Sequence, residues 1–135
     1  MFKKALAIAA AAHAGQMDKA GKPYMDHVIR VALGVPCGDA KIVALLHDVV
    51  EDSCWSLGML KAEGFSDVIV AAVAAMTHKM GESYDDYIER VKLNPLATVV
   101  KLSDLADNTD DGRLPVVDLA RILKYAKAKS KLEGK

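Results

Sequence analysis

Four titratable side chains crowd the end of one apolar run. Residues 42–52 read IVALLHDVVED, and they place His47, Asp48, Glu51 and Asp52 within two helical turns. On an α-helix, positions four apart share a face, which sets His47 above Glu51 and Asp48 above Asp52. Adjacent helical residues diverge by about 100°, so His47 and Asp48 flank a point in space rather than stack. That arrangement suits one metal held between an imidazole and a carboxylate, with two further carboxylates a turn away. Such groups are costly to bury unless they are ligated or paired. The plain alternative is a helix end with solvated acids and a hydrogen-bonded core histidine.

A metal at this point needs ligands from other helices, and the candidates are polar residues where the pattern expects apolar ones. His27 interrupts YMDHVIRVAL, residues 24–33, beside Val28. Asp104 follows VVKLS, residues 99–103, deep in a core-like helix. Each has a bland reading: His27 as a satisfied core histidine, Asp104 as the partner of Lys101. Together with His47 and Asp48 they make an N2O2 set with open positions. That donor mix fits manganese or ferrous iron better than a closed structural zinc site, which prefers thiolates.

The elements that must position these residues all read as helices. The expected fold is all-α, a single compact domain over residues 1–135 with about eight helices. The first covers 2–14 and stops at Gly15; the second covers 24–33, with Val28, Val31 and Ala32 inward. Asp39 is the expected N-cap of a third running to about Asp52. Ser56 opens a short helix, Ser66 the apolar stretch 66–79 stopped near Gly81, and Ser83 a helix with acids in its first turn. Asn94-Pro95 pairs a cap with a proline at the first helical position. DDGR, residues 110–113, reads as a turn, and 114–132 as a C-terminal amphipathic packing helix. VIVAAV could pass for a buried strand, but its length and flanks favour helix.

Composition narrows the partners. Of 135 residues, 18 are basic and 18 acidic, so a neutral chain offers no electrostatic case for nucleic acid or an anionic membrane as main partner. No segment approaches the roughly 20 apolar residues that span a bilayer. The N-terminal MFKKALAIAAAAHAG mimics a secretory signal, but its apolar part is alanine-dominated and alanine is the best helix former. Cys37 and Cys54 have no metal-like spacing and are expected to stay reduced, so the expectation is a cytoplasmic protein. The apolar face of the last helix makes a homodimer an open option.

Three segments in order, AHAGQMDKAGKPYMDH, ALLHDVVEDS and VKLSDLADN, resemble the hydrolase domain of RelA/SpoT proteins and the stand-alone small alarmone hydrolases. His27, His47-Asp48 and Asp104 match the H…HD…D signature of HD-domain phosphohydrolases. The resemblance extends from about residue 5 to 113, and the expectation is the hydrolase unit alone, without a synthetase domain. It implies that these four residues hold a divalent metal, usually manganese, and that Glu51 and Asp52 orient and deprotonate the attacking water. It implies a nucleotide-sugar contact for Asn108 and a place near the nucleotide for Lys19. The implied reaction removes pyrophosphate from the 3′ position of guanosine tetra- or pentaphosphate. Alternatives are the same chemistry on another nucleotide (an adenosine alarmone, NADPH or a nucleoside phosphate) and a non-catalytic nucleotide sensor. Two departures bear on the substrate: Asp18 stands where the family carries an arginine, and Leu105-Ala106-Asp107-Asn108 replaces Arg-Leu-His-Asn. From the residues themselves, Lys79 and Tyr84 are candidates for phosphate binding and base stacking, against a simple capped turn. His13 reads as a support behind the ligands, and Arg113 as a phosphate contact or a surface turn residue.

Overall fold

The computed structural model describes residues 1–109 and 119–134, and among them the protein is built from helices alone. In chain order these are α1 Phe2–Ala12, α2 Tyr24–Leu33, α3 Asp39–Leu46, α4 Val49–Asp52, α5 Leu57–Ala62, α6 Asp67–Met76, α7 Tyr84–Lys92, α8 Pro95–Asn108 and α9 Leu119–Leu132. A single isolated bridge between Met17 and Pro23 closes the loop after α1. The expected DDGR turn, Arg113 and the start of the last helix lie outside the described residues. No helix among those described is long and apolar enough to cross a membrane. Cys37 and Cys54 are exposed and unpaired.

Local signals explain most boundaries. The side chains of Ser56, Ser66, Ser83 and Asn94 each accept the backbone N–H of the residue three ahead, starting α5, α6, α7 and α8. Each such cap is worth about 1 kcal/mol. The stretch VIVAAV is helical, inside α6. Two expectations need correction. Gly38, not Asp39, is the residue that caps α3, and it does so with φ +95°, a conformation glycine adopts without strain. The helix expected to run from 39 to 52 is broken at His47-Asp48, which separates α3 from α4.

α3 is the central element. Ala40 and every residue from Ile42 to Leu46 are buried, and the helix packs on α1, α2, α6 and α8. An all-round apolar helix belongs in the middle of a bundle. Across it, α2 and α8 close on each other: the Ser103 hydroxyl donates to the Val31 carbonyl at 2.9 Å. The approach is close enough that a Cβ on Gly34 would lie 2.4 Å from Ser103 Oγ. Gly34→Ala is therefore expected to destabilise the protein by about 1–3 kcal/mol through overpacking. Urea denaturation checks this, with Gly34→Ala/Ser103→Ala losing less than the two single costs added. An unchanged midpoint in Gly34→Ala would show that the α2–α8 joint yields.

Candidate metal centre

The apolar end of α3 delivers His47 into the interior, and the ring itself then ends the helix. Its Nδ1–H donates to the Ala44 carbonyl at 2.5 Å. A side-chain donor so close in sequence competes with the backbone for helical carbonyls. Asp48 follows at φ −105°, ψ 0°, at the edge of the right-handed helical region, before α4 resumes. The stacking expected of an unbroken helix survives only in part, since the Asp52 N–H still donates to the Asp48 carbonyl at 3.0 Å. The break brings His47 Nε2 to 3.0 Å from Asp48 Oδ2 and 3.4 Å from Asp104 Oδ1. From α2, His27 Nε2 lies 3.0 Å from the same Asp104 oxygen. One donor atom from each of His27, His47, Asp48 and Asp104 thus falls within 4.8 Å of all the others.

These residues fit a divalent cation. His47 Nε2 is buried and makes no hydrogen bond despite its two carboxylate neighbours. With Nδ1 as the donor to Ala44, Nε2 is the atom that faces the carboxylates, the position from which a ring that has given up its Nε2 proton would bind a cation. Electrostatics point the same way: burial pulls the His47 imidazolium down, but Asp48 and Asp104 outweigh it and hold it well above its ordinary range. Burial likewise raises the Asp104 carboxyl, and Lys101, His27 and His47 overcome it, leaving it well below the usual range. The buried Asp104 and half-buried Asp48 carboxylates draw positive charge to one point, which is what a cation site does.

Glu51 and Asp52 project from α4 and remain exposed. The His78 N–H donates to Glu51 Oε1. Partial burial, then partly offset by that hydrogen bond, raises the Glu51 carboxyl; burial and Asp48 raise Asp52.

No family model matches the sequence. The probable GTP pyrophosphokinase of Mycobacterium leprae is 31% identical over 122 residues, 80% of this chain and 15% of that protein. The guanosine-3′,5′-bis(diphosphate) 3′-pyrophosphohydrolase of Aquifex aeolicus is 30% identical over 119 residues, 79% of this chain and 17% of that protein. The chain therefore spans about a sixth of the length of these curated relatives. Among solved structures, a metazoan SpoT orthologue, described as hydrolysing ppGpp and acting in starvation responses, superposes with a TM-score of 0.79. It is 25% identical, and the match covers 97% of this chain and 84% of that one. The chain is a RelA/SpoT-type HD domain.

Around the ligands of this HD domain lies a ring of supports, in which the Lys101–Asp104 pair and His13 were expected and the parts of Tyr24, Gln16 and Asp107 were not. The Tyr24 hydroxyl donates to Asp48 Oδ2, and burial followed by Asp48 pushes its pKa far up, so it stays a donor. Lys101 Nζ is 2.8 Å from Asp104 Oδ2, so Asp104 serves the cluster and the lysine at once. Asn108 Nδ2 donates to Asp104 Oδ1 at 3.2 Å. His27 Nδ1 is 2.5 Å from Asp107 Oδ2. His13 is buried, and its Nδ1 bonds Gln16 Oε1 at 2.8 Å. Gln16 in turn donates to the Asp52 carbonyl at 2.9 Å, which joins the α1 end to α4. His13 thus supports the site and lies outside the four-donor group.

Beside the cluster a cavity of about 330 Å³ is lined by His27, Asp48, Asp104, Tyr24, Lys101, Asn108, Tyr125 and the loop residues Met17, Asp18 and Lys19. Of the substrate candidates, Lys19 and Asn108 line it; Lys79 and Tyr84 are not among its lining residues. The Tyr84 ring packs against Tyr87 and beneath Lys124, its hydroxyl buried without a partner. Asp18 Oδ1 accepts the N–H groups of Ala20 and Lys22, both at 2.9 Å, so the acid shapes its own turn.

The segment presenting His78 to Glu51 is itself clamped. Arg90 donates to the carbonyls of Ala74, Ala75 and Thr77 and to both Glu82 oxygens. By taking those carbonyls it ends α6 at Met76, earlier than the expected stop near Gly81. The Arg90 guanidinium lowers the Glu82 carboxyl from its ordinary 4.5 to about 2. A depressed carboxyl contributes stability above its unfolded pKa and loses it as pH falls through the folded one. Glu82→Gln is accordingly expected to be less stable than the native protein at pH 7, with the difference shrinking between about pH 5 and pH 2. Denaturant midpoints across that range measure it; a constant difference would mean the ion pair contributes nothing.

Proposed function

We propose that this HD domain is a manganese-dependent phosphohydrolase that removes the 3′-pyrophosphate of guanosine tetra- and pentaphosphate. The observation that carries the proposal is the convergence of His27, His47, Asp48 and Asp104 beside Glu51, whose carboxylate is fixed by the His78 N–H and open to solvent. The relatives named for this activity, cited above, support the substrate.

In this reading His27, His47, Asp48 and Asp104 hold the cation, which supplies Lewis acidity that lowers the pKa of water and offsets charge on phosphoryl oxygens. Glu51 takes the proton of the attacking water. Its raised carboxyl moves towards the range in which a carboxylate is an effective base at neutral pH. Asp52, next to it and similarly raised, orients the water through its own acceptor oxygens. The water oxygen bonds to phosphorus, the bond from phosphorus to the ribose 3′-oxygen breaks, and that oxygen leaves as a hydroxyl, its proton balancing the one Glu51 took from the water. Lys101 and Lys19 give the cavity positive charge for a polyphosphate, and Asn108 lies where a sugar hydroxyl would find an amide. Lys79, on the loop that carries His78, is assigned the distal phosphates.

Asp18 favours keeping a second substrate reading. A carboxylate at the cavity rim, held by two backbone N–H groups, offers no cation to a guanine base. An adenosine alarmone or NADPH would meet the same metal and the same water.

Purified protein with Mn2+ should release pyrophosphate from guanosine tetraphosphate, stop on chelation and recover when Mn2+ is restored. Glu51→Gln should lower kcat by about 10²–10⁴-fold, the usual contribution of a general base, and His47→Ala should abolish turnover. Turnover confined to the adenosine analogue or NADPH would replace the guanosine reading with the second one. Tight binding of all three without turnover would make the protein a sensor.

A further inference from the structure

We infer that Asp107 is a positioning residue that sets the affinity of the site for its cation by holding His27 with Nε2 turned to the other ligands. The inference rests on the metal-centre reading above and adds to it a residue outside the ligand set.

His27 is buried between two carboxylates from one helix. Its Nε2 lies 3.0 Å from Asp104 Oδ1, and its Nδ1 lies 2.5 Å from Asp107 Oδ2. Asp104 and Asp107 are three apart on α8, hence neighbours on one face. His27 and Arg30 stand in the same relation on α2, and Arg30 Nε donates to Asp107 Oδ1 at 2.7 Å. Two i, i+3 pairs on facing helices therefore interlock, with the imidazole bridging both acids and the guanidinium gripping the outer one. A flip of the ring would give up its fit to both carboxylates. The Asp107 side chain is only 9% exposed, so its own geometry is fixed by packing as well as by Arg30.

The chemistry of such an arrangement is general. A histidine ligand that gives its other N–H to a carboxylate is locked in one tautomer and is a more basic donor to the cation. Losing the outer partner costs about 10–100-fold in metal affinity. Asn at this position can still accept the Nδ1–H, but it brings no charge and a weaker hold on Arg30. Ala removes both.

The test is Mn2+ affinity, read by electron paramagnetic resonance from the free Mn2+ signal and expressed per folded molecule, with folding of the metal-free protein followed by urea denaturation. The native protein is compared with Asp107→Asn, Asp107→Ala, Arg30→Gln and His47→Ala. Mn2+ binding should weaken about 10-fold in Asp107→Asn, up to about 100-fold in Asp107→Ala, and least in Arg30→Gln. Where Asp107→Ala does not fold, the near-isosteric Asp107→Asn decides. Native Mn2+ affinity in folded Asp107→Asn overturns the inference, even if its urea midpoint falls, because a merely structural residue would behave that way. Failure of the native protein to bind Mn2+ any better than His47→Ala would instead remove the metal-centre reading itself.

Discussion

The structure depends on how the buried carboxylate of Asp104 is satisfied. An ionised acid in the interior costs several kcal/mol unless its partners are close and well aligned. Here Lys101 takes one oxygen from within α8, while His27 from α2 and Asn108 take the other, with His47 of α3 nearby. These contacts have a common requirement: α2, α3 and α8 must meet in one register. The apolar faces around them are less demanding, because alanine and valine surfaces tolerate small slides. Asp104 does not, and removing any partner leaves charge uncompensated in a low-dielectric region. The Gly34–Ser103 contact, beside Asp104 on α8, holds the α2–α8 joint to the same register.

That constraint also separates rigid from adjustable parts. The four donors are carried by three packed helices and the tight turn after α3. Glu51 lies instead on a four-residue helix at the surface, and its orientation comes from the His78 N–H on a loop held by Arg90 and Glu82. A cation site benefits from rigidity, since small displacements of a ligand weaken it. A group that must gain and release a proton benefits from access to water. With Glu51 as the base of the proposed reaction, the fold would meet both needs by placing them on different elements.

Much of this was legible in the sequence, for identifiable reasons. Helix starts at Ser56, Ser66, Ser83 and Asn94 announce themselves because capping is local chemistry. His27 and Asp104 are conspicuous because they are polar residues on otherwise apolar faces. The break at His47 was not legible, because it comes from a ring nitrogen reaching the Ala44 carbonyl, which propensity does not encode. The early end of α6 has a non-local cause in Arg90, sixteen residues from Ala74. Asp107 could be read only as a departure from the resembled family, although its spacing from Asp104, mirrored by that of Arg30 from His27, was a usable signal. The part played by Tyr24 had no local signal, because its hydroxyl partner, Asp48, is twenty-four residues away.

The same division explains why reaction type and substrate are legible to different degrees. Chemistry resides in side chains whose partners are fixed by packing, so a change there disturbs the core and shows as a broken pattern. In the proposed reading, substrate choice falls to the loop 15–23 and the cavity rim, where a residue can serve its own turn. Asp18 illustrates this: its carboxylate replaces a cation at the rim, yet the loop gains two backbone hydrogen bonds from it. A substitution of that kind can alter which base is accepted while the loop keeps its shape and the ligands keep their places. A hydrolase of this architecture can therefore diverge in substrate without passing through an unfolded or metal-free intermediate, because the core that satisfies Asp104 is not consulted in the change.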